Sequence, residues 1–172
     1  MKKCFKRMAV IVIAVVTMSM TANAQEKGDM AVGANVVFSS GDSYSNIGIS
    51  AKFQYNILNP IRLEGSFTYF LKKNYISMWD ASVNAHYLFP LTDKITLYPL
   101  AGVGILGSKV NFSEETAMRD GVSASSSEFG ANIGGGIDFK LTDKFILNGE
   151  AKYKIGSTWN RLLLSAGVAY RF

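Results

Sequence analysis

Along most of the chain, apolar and polar residues alternate one by one, which places them on opposite faces of extended segments. The clearest run sets Ile47, Ile49, Ala51, Phe53 and Tyr55 against the small or polar residues between them. Eight segments show this pattern: 30–38, 47–55, 61–71, 79–89, 97–105, 129–139, 145–155 and 162–172. Each has about the nine to eleven residues that a tilted strand needs to cross a bilayer. The fifth segment is the least regular, because Leu100 and Leu106 fall in its polar phase.

The joints between segments alternate in length. Residues 56–60, 90–94 and 141–144 form short joints rich in Asn, Asp and Pro, whereas the joint from Gly107 to Ser127 is long and polar. In outer-membrane barrels, short turns face the periplasm and longer loops face outward. The pattern therefore predicts an all-β fold, an eight-stranded antiparallel up-and-down transmembrane β-barrel with both termini on the periplasmic side.

The motif Leu-Thr-Asp-Lys occurs in two of the short joints, at 91–94 and again at 141–144. It either marks repeated hairpin units or is a coincidence of a common turn type.

Alternation alone does not show which face meets lipid, because a soluble ligand-carrying barrel has the same period with its apolar side chains inward. The aromatic residues favour the membrane interpretation. They gather at segment ends, where interfacial girdles form, and are sparse in mid-strand. The residues concerned are Tyr55, Trp79, Tyr87, Phe89, Phe139, Phe145, Tyr153, Tyr170 and Phe172.

The first 24 residues have the features of a signal peptide. Lys2, Lys3, Lys6 and Arg7 precede an apolar run from Met8 to Met20, and Ala22-Asn23-Ala24 fits a cleavage site. A retained anchor is the alternative, but thirteen helical residues rise only about 20 Å, against about 30 Å of hydrocarbon. We therefore expect a cleaved signal peptide at 1–24 and a barrel domain at 25–172.

Removing this leader changes the charge and the thiol content of the chain. Fourteen basic residues remain against thirteen acidic ones, a net charge of +1, so the high pI of the whole sequence does not point to nucleic acid. The single cysteine, Cys4, lies in the leader. The exported domain is thus expected to have no disulfide and no thiol ligand.

Three stretches carry a resemblance to a known family. They are the leader ending at Ala24, the glycine-rich segment Tyr98-Pro99-Leu100-Ala101-Gly102-Val103-Gly104, and the close Val168-Ala169-Tyr170-Arg171-Phe172. With them the chain resembles the eight-stranded outer-membrane barrels of Gram-negative bacteria, the family of OmpA transmembrane domains and OmpX. The resemblance implies an outer-membrane location, a lipid environment, a monomer, and an assembly signal at Tyr170 and Phe172 that the barrel assembly machinery reads.

The inward phase carries charges of both signs, which predicts a charged network in the lumen. Its members are Lys52, Arg62, Glu64, Asp80, Glu150 and Lys152. If the turn at 56–60 is symmetric about Leu58, Lys52 lies directly opposite Glu64 as a cross-strand ion pair. We expect these side chains to plug the lumen. The alternatives are a narrow porin-like path for ions or small solutes, and salt bridges that merely hold the barrel rigid.

The sequence offers little that is typical of catalysis. His86 is its one histidine, and it is predicted to face inward near Tyr98, so no catalytic residues, cofactor or metal ligands are assigned. The joint Gly107 to Ser127, with Glu114, Glu115, Arg119 and Asp120, would meet a surface ligand first, or is simply a solvated loop. The predicted function is structural or surface interaction, non-enzymatic, with a channel as the alternative and a soluble carrier as the second alternative.

Overall fold

The computed structural model describes residues 27–41, 45–73, 76–111, 123–157 and 160–172, and the predicted signal peptide lies outside these ranges. The described residues form eight long strands. They are β1 (Met30–Gly41), β2 (Ser45–Leu58), β3 (Ile61–Lys73), β4 (Ile76–Tyr87), β5 (Ile95–Asn111), β6 (Ser123–Lys140), β7 (Phe145–Gly156) and β8 (Arg161–Arg171). After Leu88, the pair Phe89–Pro90 continues β4 and bonds to β5.

The strands form a closed antiparallel barrel. Each strand pairs with the next along the chain, and β8 returns to β1 in a register that runs from Ala31 opposite Arg171 to Gly41 opposite Arg161. Closure leaves no unpaired edge among the described strands, which is what a bilayer without hydrogen-bonding solvent requires. The predicted fold class is confirmed. No helix in the described parts of the chain is long and apolar enough to cross a membrane.

The two faces of the barrel differ as the alternation predicts. Apolar side chains point outward, with Val36 60% and Phe129 64% exposed, whereas polar side chains in the opposite phase, such as Asn84, are buried in the lumen. Leu100 and Leu106 are also buried inside, in agreement with their phase in the irregular fifth segment. The barrel therefore has an apolar exterior and a mainly polar interior.

Strands β5 and β6 extend far beyond the segments that the sequence pattern predicts. Residues 107–111 of β5 pair with 123–127 of β6, so both flanks of the predicted loop Gly107 to Ser127 are strand. The prediction of a loop over this whole range was wrong, because the strands continue beyond the part that shows apolar alternation. Residues 112–122, with Glu114, Glu115, Arg119 and Asp120, lie outside the described residues.

The two copies of Leu-Thr-Asp-Lys form the same turn. Thr92 Oγ1 accepts hydrogen bonds from the backbone N–H groups of Lys94 and Ile95, at 3.3 and 3.0 Å. Thr142 Oγ1 accepts them from Lys144 and Phe145 at the same two distances. The repeated motif thus encodes one turn geometry, which joins strands at the same end of the barrel.

Candidate functional site: the charged lumen

The residues predicted to form the lumen network are all buried inside the barrel. They come from strands β2, β3, β4 and β7, and each residue lies in the inward phase of its strand. Their exposures are 8% or less for the whole set of Lys52, Arg62, Glu64, Asp80, Glu150 and Lys152. Charges at this depth are tolerated only when partners compensate them, so their contacts define what the lumen can do.

The Lys52–Glu64 pair exists, but not in the predicted register. Lys52 lies opposite Ser66, and Gln54 lies opposite Glu64, because Asn56 pairs with Arg62 and the turn is therefore centred on Asn59 instead of Leu58. Lys52 reaches Glu64 diagonally, with 3.6 Å between Nζ and Oε2. Gln54 also donates to Glu64 from its amide nitrogen, at 2.8 Å. The carboxylate therefore has one cation and one neutral donor.

Arg62 is the centre of a second group, toward the short-turn end of the lumen. Its Nη1 lies 2.6 Å from Asp138 Oδ2, and its Nε donates to His86 Nδ1 at 3.2 Å. The His86 ring stacks on Tyr98, with centroids 4.6 Å apart and planes at 9°. The guanidinium also lies 4.8 Å from the centre of the Tyr98 ring. The predicted proximity of His86 and Tyr98 is confirmed, and both rings are fixed by packing.

Glu150 and Asp80 complete the set. Tyr98 donates its hydroxyl hydrogen to Glu150 at 3.3 Å, and Lys152 Nζ lies 3.6 Å from the same carboxylate. Asp80 forms a close ion pair with Lys154 and accepts a hydrogen bond from Ser82 at 2.6 Å. Ion pairs thus connect strands across the lumen as well as neighbours within one strand.

The sequence analysis missed two charged members, Asp138 and Lys154. Both were within reach of the period-two signal that identified the others. Asp138 lies between the outward Ile137 and Phe139, and Lys154 is the next inward residue after Lys152. What the pattern could not provide was the partner of each charge, since Arg62 on β3 pairs with Asp138 on β6, far away in the sequence.

One group of lumen side chains has the composition of a metal site. The ligand atoms of Glu64, His86 and Glu150 lie within 4.8 Å of one another. Both carboxylates already face lysine ammonium groups at 3.6 Å. His86 Nδ1 accepts from Arg62, so the neutral ring carries its proton on Nε2, the nitrogen nearest to Glu64. A cation would have to displace these positive groups and that proton, so the donor set does not fit a metal ion.

The C-terminal aromatics lie where the barrel closes. The Phe172 backbone N–H donates to the Met30 carbonyl at 3.0 Å, next to the β1–β8 seam. Tyr170 packs edge-on against Phe145 and stacks near Phe172, with ring centroids 5.4 and 6.5 Å apart. These three rings form part of an aromatic belt at the turn end of the barrel, as interfacial girdles do.

A closed antiparallel barrel with an apolar exterior, aromatic ends and a charged interior defines an outer-membrane β-barrel protein. The family profile of the outer membrane protein beta-barrel domain matches residues 8–172. The chain belongs to this family, and its location is the outer membrane. None of the curated proteins compared with the sequence matches it.

Solved structures of small outer-membrane barrels share the fold. Ail, the attachment invasion locus protein of Yersinia pestis, is 24% identical, with 85% of this chain and 99% of that chain covered and a TM-score of 0.60. Neisserial surface protein A is 18% identical, with 84% and 96% covered and a TM-score of 0.63. The N-terminal barrel of Pseudomonas aeruginosa OprF is 17% identical, with 86% and 100% covered and a TM-score of 0.60. At these identities the likeness concerns the fold alone.

Proposed function

We propose that this protein is a structural and surface-interaction barrel whose lumen is plugged by its charged network. The observation that carries the proposal is the pairing of the buried charges. The carboxylates of Glu64, Asp80, Asp138 and Glu150 each have a cationic partner within the described lumen. A permeating ion would have to separate such pairs, and breaking one buried pair costs about 3 to 5 kcal/mol.

The space left between the lumen side chains is small. A cavity of about 20 Å³ lies among residues that include Ser50, Ser66, Thr68 and Glu150. This is room for about one water molecule, and the interior of an eight-stranded barrel is narrow enough for side chains to fill it. The cavity is therefore a pocket within the plug and supports a closed lumen.

A narrow channel is the second candidate, because polar residues line the middle of the lumen on strands such as β2, β3, β4 and β7. Planar-bilayer recordings of purified protein separate the two functions. We expect the wild type to show no steady conductance. A steady wild-type conductance that changes in Glu64→Gln would overturn the plug, and the outward variant Phe67→Leu serves as the control that should leave any conductance unchanged.

The environment of His86 supports a non-enzymatic function. An acid-base group needs access to substrate, but His86 is 1% exposed, stacked on Tyr98 and held by Arg62. We propose that it packs the lumen and takes no part in catalysis. Replacing it with Gln should lower thermal stability, and any lipid-modifying activity found in the wild type and lost in this variant would contradict the proposal.

A surface ligand would meet the loop between β5 and β6 first. Ail has been solved in complex with the heparin analogue sucrose octasulfate. In this chain the predicted loop carries Glu114, Glu115 and Asp120 against Arg119, a balance that disfavours a polyanion. We propose a neutral or cationic partner. Retention of the lipid-reconstituted barrel on a heparin column at physiological salt would show that this charge argument is wrong.

We also propose that the barrel is a monomer and that Tyr170 and Phe172 serve as its assembly signal. The position of Phe172 at the closing seam supports the assembly signal, because the last strand must be in place before β1 can pair with it. The variant Phe172→Ser should accumulate as an unfolded, heat-insensitive band on gels of cell membranes. The control Phe129→Ser changes a residue that is also outward but far from the seam. It should assemble at a rate closer to that of the wild type than Phe172→Ser does.

A further inference from the structure

The lumen contains a layer of apolar side chains between its charged middle and the loop end of the barrel. Five strands, β1, β3, β4, β5 and β8, each supply one inward member. The layer consists of Val37, Phe70, Met78, Leu106 and Leu163, which form one cluster of buried residues. Inward positions on membrane barrels are usually polar, so five apolar residues at one level are a departure from the pattern.

Packing extends the layer in front of β2, between its members on β1 and β3. Phe70 has no exposed surface, and it packs over Gly48 on β2, where an added Cβ would lie 2.9 Å from Phe70 Cδ1. Glycine at this position allows the ring to fill the space in front of β2, a strand that gives the layer no side chain of its own. Asn46, also on β2, contacts the layer by donating to the Met78 sulfur at 3.4 Å.

The layer lies directly above the small polar cavity in the plug. Val37 and Leu163 belong to the layer and also line that cavity, whose other walls include Lys52 and Glu150. Beyond the layer, toward the loops, the inward residues are polar again, with Ser39 accepting from Arg161 at 3.4 Å. Polar regions thus lie on both sides of an apolar one.

We propose that this apolar layer is an outer barrier, on the loop side of the charged plug, that keeps external water and solutes away from the network. An apolar constriction excludes water and ions because it offers them no hydrogen bonds and no charge compensation. The network below it then holds its pairs in a dry environment. This inference rests on the proposed closed lumen and states where it is sealed.

A single cysteine provides the test, because the expected mature chain has no thiol of its own. Ser66 is suitable, since it lines the cavity and its hydroxyl is buried without a hydrogen-bond partner. The variant Ser66→Cys, folded in lipid vesicles, is treated with a small anionic methanethiosulfonate reagent, and labelling is followed by mass spectrometry. We expect slow labelling of Ser66→Cys alone and a rate about tenfold higher after Phe70→Ala is added.

Two comparisons make the result specific. Phe67→Ala removes the same side chain from the lipid face three residues away and should leave the labelling rate unchanged. Glu64→Gln breaks the network below the layer and should also leave it unchanged. Met78→Ala is the second opening variant, used if Phe70→Ala does not show the heat-dependent gel shift of a folded barrel.

Three outcomes would overturn the inference. They are labelling of Ser66→Cys as fast as that of the exposed variant Ser126→Cys, faster labelling after Glu64→Gln, and no change in the folded opening variants. Bilayer conductance of the wild type tests the closed lumen independently. A barrel that does not conduct but labels rapidly would refute the apolar seal and leave the proposed function intact.

Discussion

The outward face and the lumen of this barrel are built on opposite principles. Outward side chains such as Val36 and Phe129 are exposed and meet hydrocarbon, for which one apolar residue is much like another. Inside, most polar side chains have a particular partner at a particular distance, as with Arg62 and Asp138. The difference indicates that exterior positions should accept any apolar residue, whereas interior positions should accept only residues that keep their partners.

The largest effect is expected from removing one member of an interior pair. Asp138→Ala leaves the Arg62 guanidinium without its closest carboxylate, and loss of one partner of a buried pair costs about 3 to 5 kcal/mol. The free energy of unfolding, measured by urea titration in lipid vesicles, should fall by that amount. The control Asp138→Asn keeps an oxygen acceptor and should lose less. Equal losses in the two variants would show that the charge itself contributes nothing.

A charge on the exterior should have the next largest effect. Val83 is 57% exposed on the outward face, and an arginine near the bilayer midplane costs about 2 to 4 kcal/mol. The same titration should show this loss for Val83→Arg and almost none for Val83→Ile. If Val83→Arg were as stable as the wild type, the outward face would not be in hydrocarbon, and the comparison between the two faces would fail.

Replacing a glycine by alanine in the lumen and on the outward face compares the two faces with a very small change, the addition of one methyl group. At Gly136, in the lumen, an added Cβ would lie 2.4 Å from the Tyr98 hydroxyl oxygen. At Gly65, on the outward face, it would have no atom within 4 Å. Overpacking typically costs about 1 to 3 kcal/mol, so Gly136→Ala should be destabilised by that amount and Gly65→Ala should not. Similar unfolding curves for the two variants would mean that Tyr98 can move away freely.

The sequence was sufficient to predict the strands and their faces, because alternation depends only on each residue and its near neighbours. It was insufficient to predict which lumen side chains pair with each other. The predicted register of Lys52 was wrong because turns centred on Leu58 and on Asn59 keep the same alternation of faces, so the apolar pattern does not distinguish them. The pairing of Arg62 with Asp138 was out of reach, since it depends on how strand tilt brings β3 and β6 together across the lumen. The apolar layer was visible only in part, through Leu106.

The smallest effect on the free energy of unfolding is expected for an ion pair that lies in water. Such a pair tests whether short distance or burial determines how much an ion pair stabilises the barrel. Lys140 Nζ lies 2.8 Å from Asp143 Oδ1 at the turn between β6 and β7, closer than Lys52 lies to Glu64, yet the Asp143 side chain is 91% exposed. Solvent and salt screen such a pair, so Asp143→Asn should leave the unfolding curve almost unchanged. A loss as large as that of Asp138→Ala would show that burial is not what distinguishes the lumen.

A pH titration should still detect the interaction between Lys140 and Asp143. The hydrogen bond from Lys140, with its positive charge, holds the pKa of the Asp143 carboxyl below its usual value. Because the pKa is lowered in the folded state, the pair contributes to stability at a pH above the ordinary aspartate pKa. This contribution is lost as the pH falls through the lowered pKa. An NMR titration should show the Asp143 pKa rising toward its usual value in Lys140→Gln. An unchanged pKa would assign the shift to the charge of Arg171 instead, and the pair with Lys140 would then be a contact without an energetic consequence.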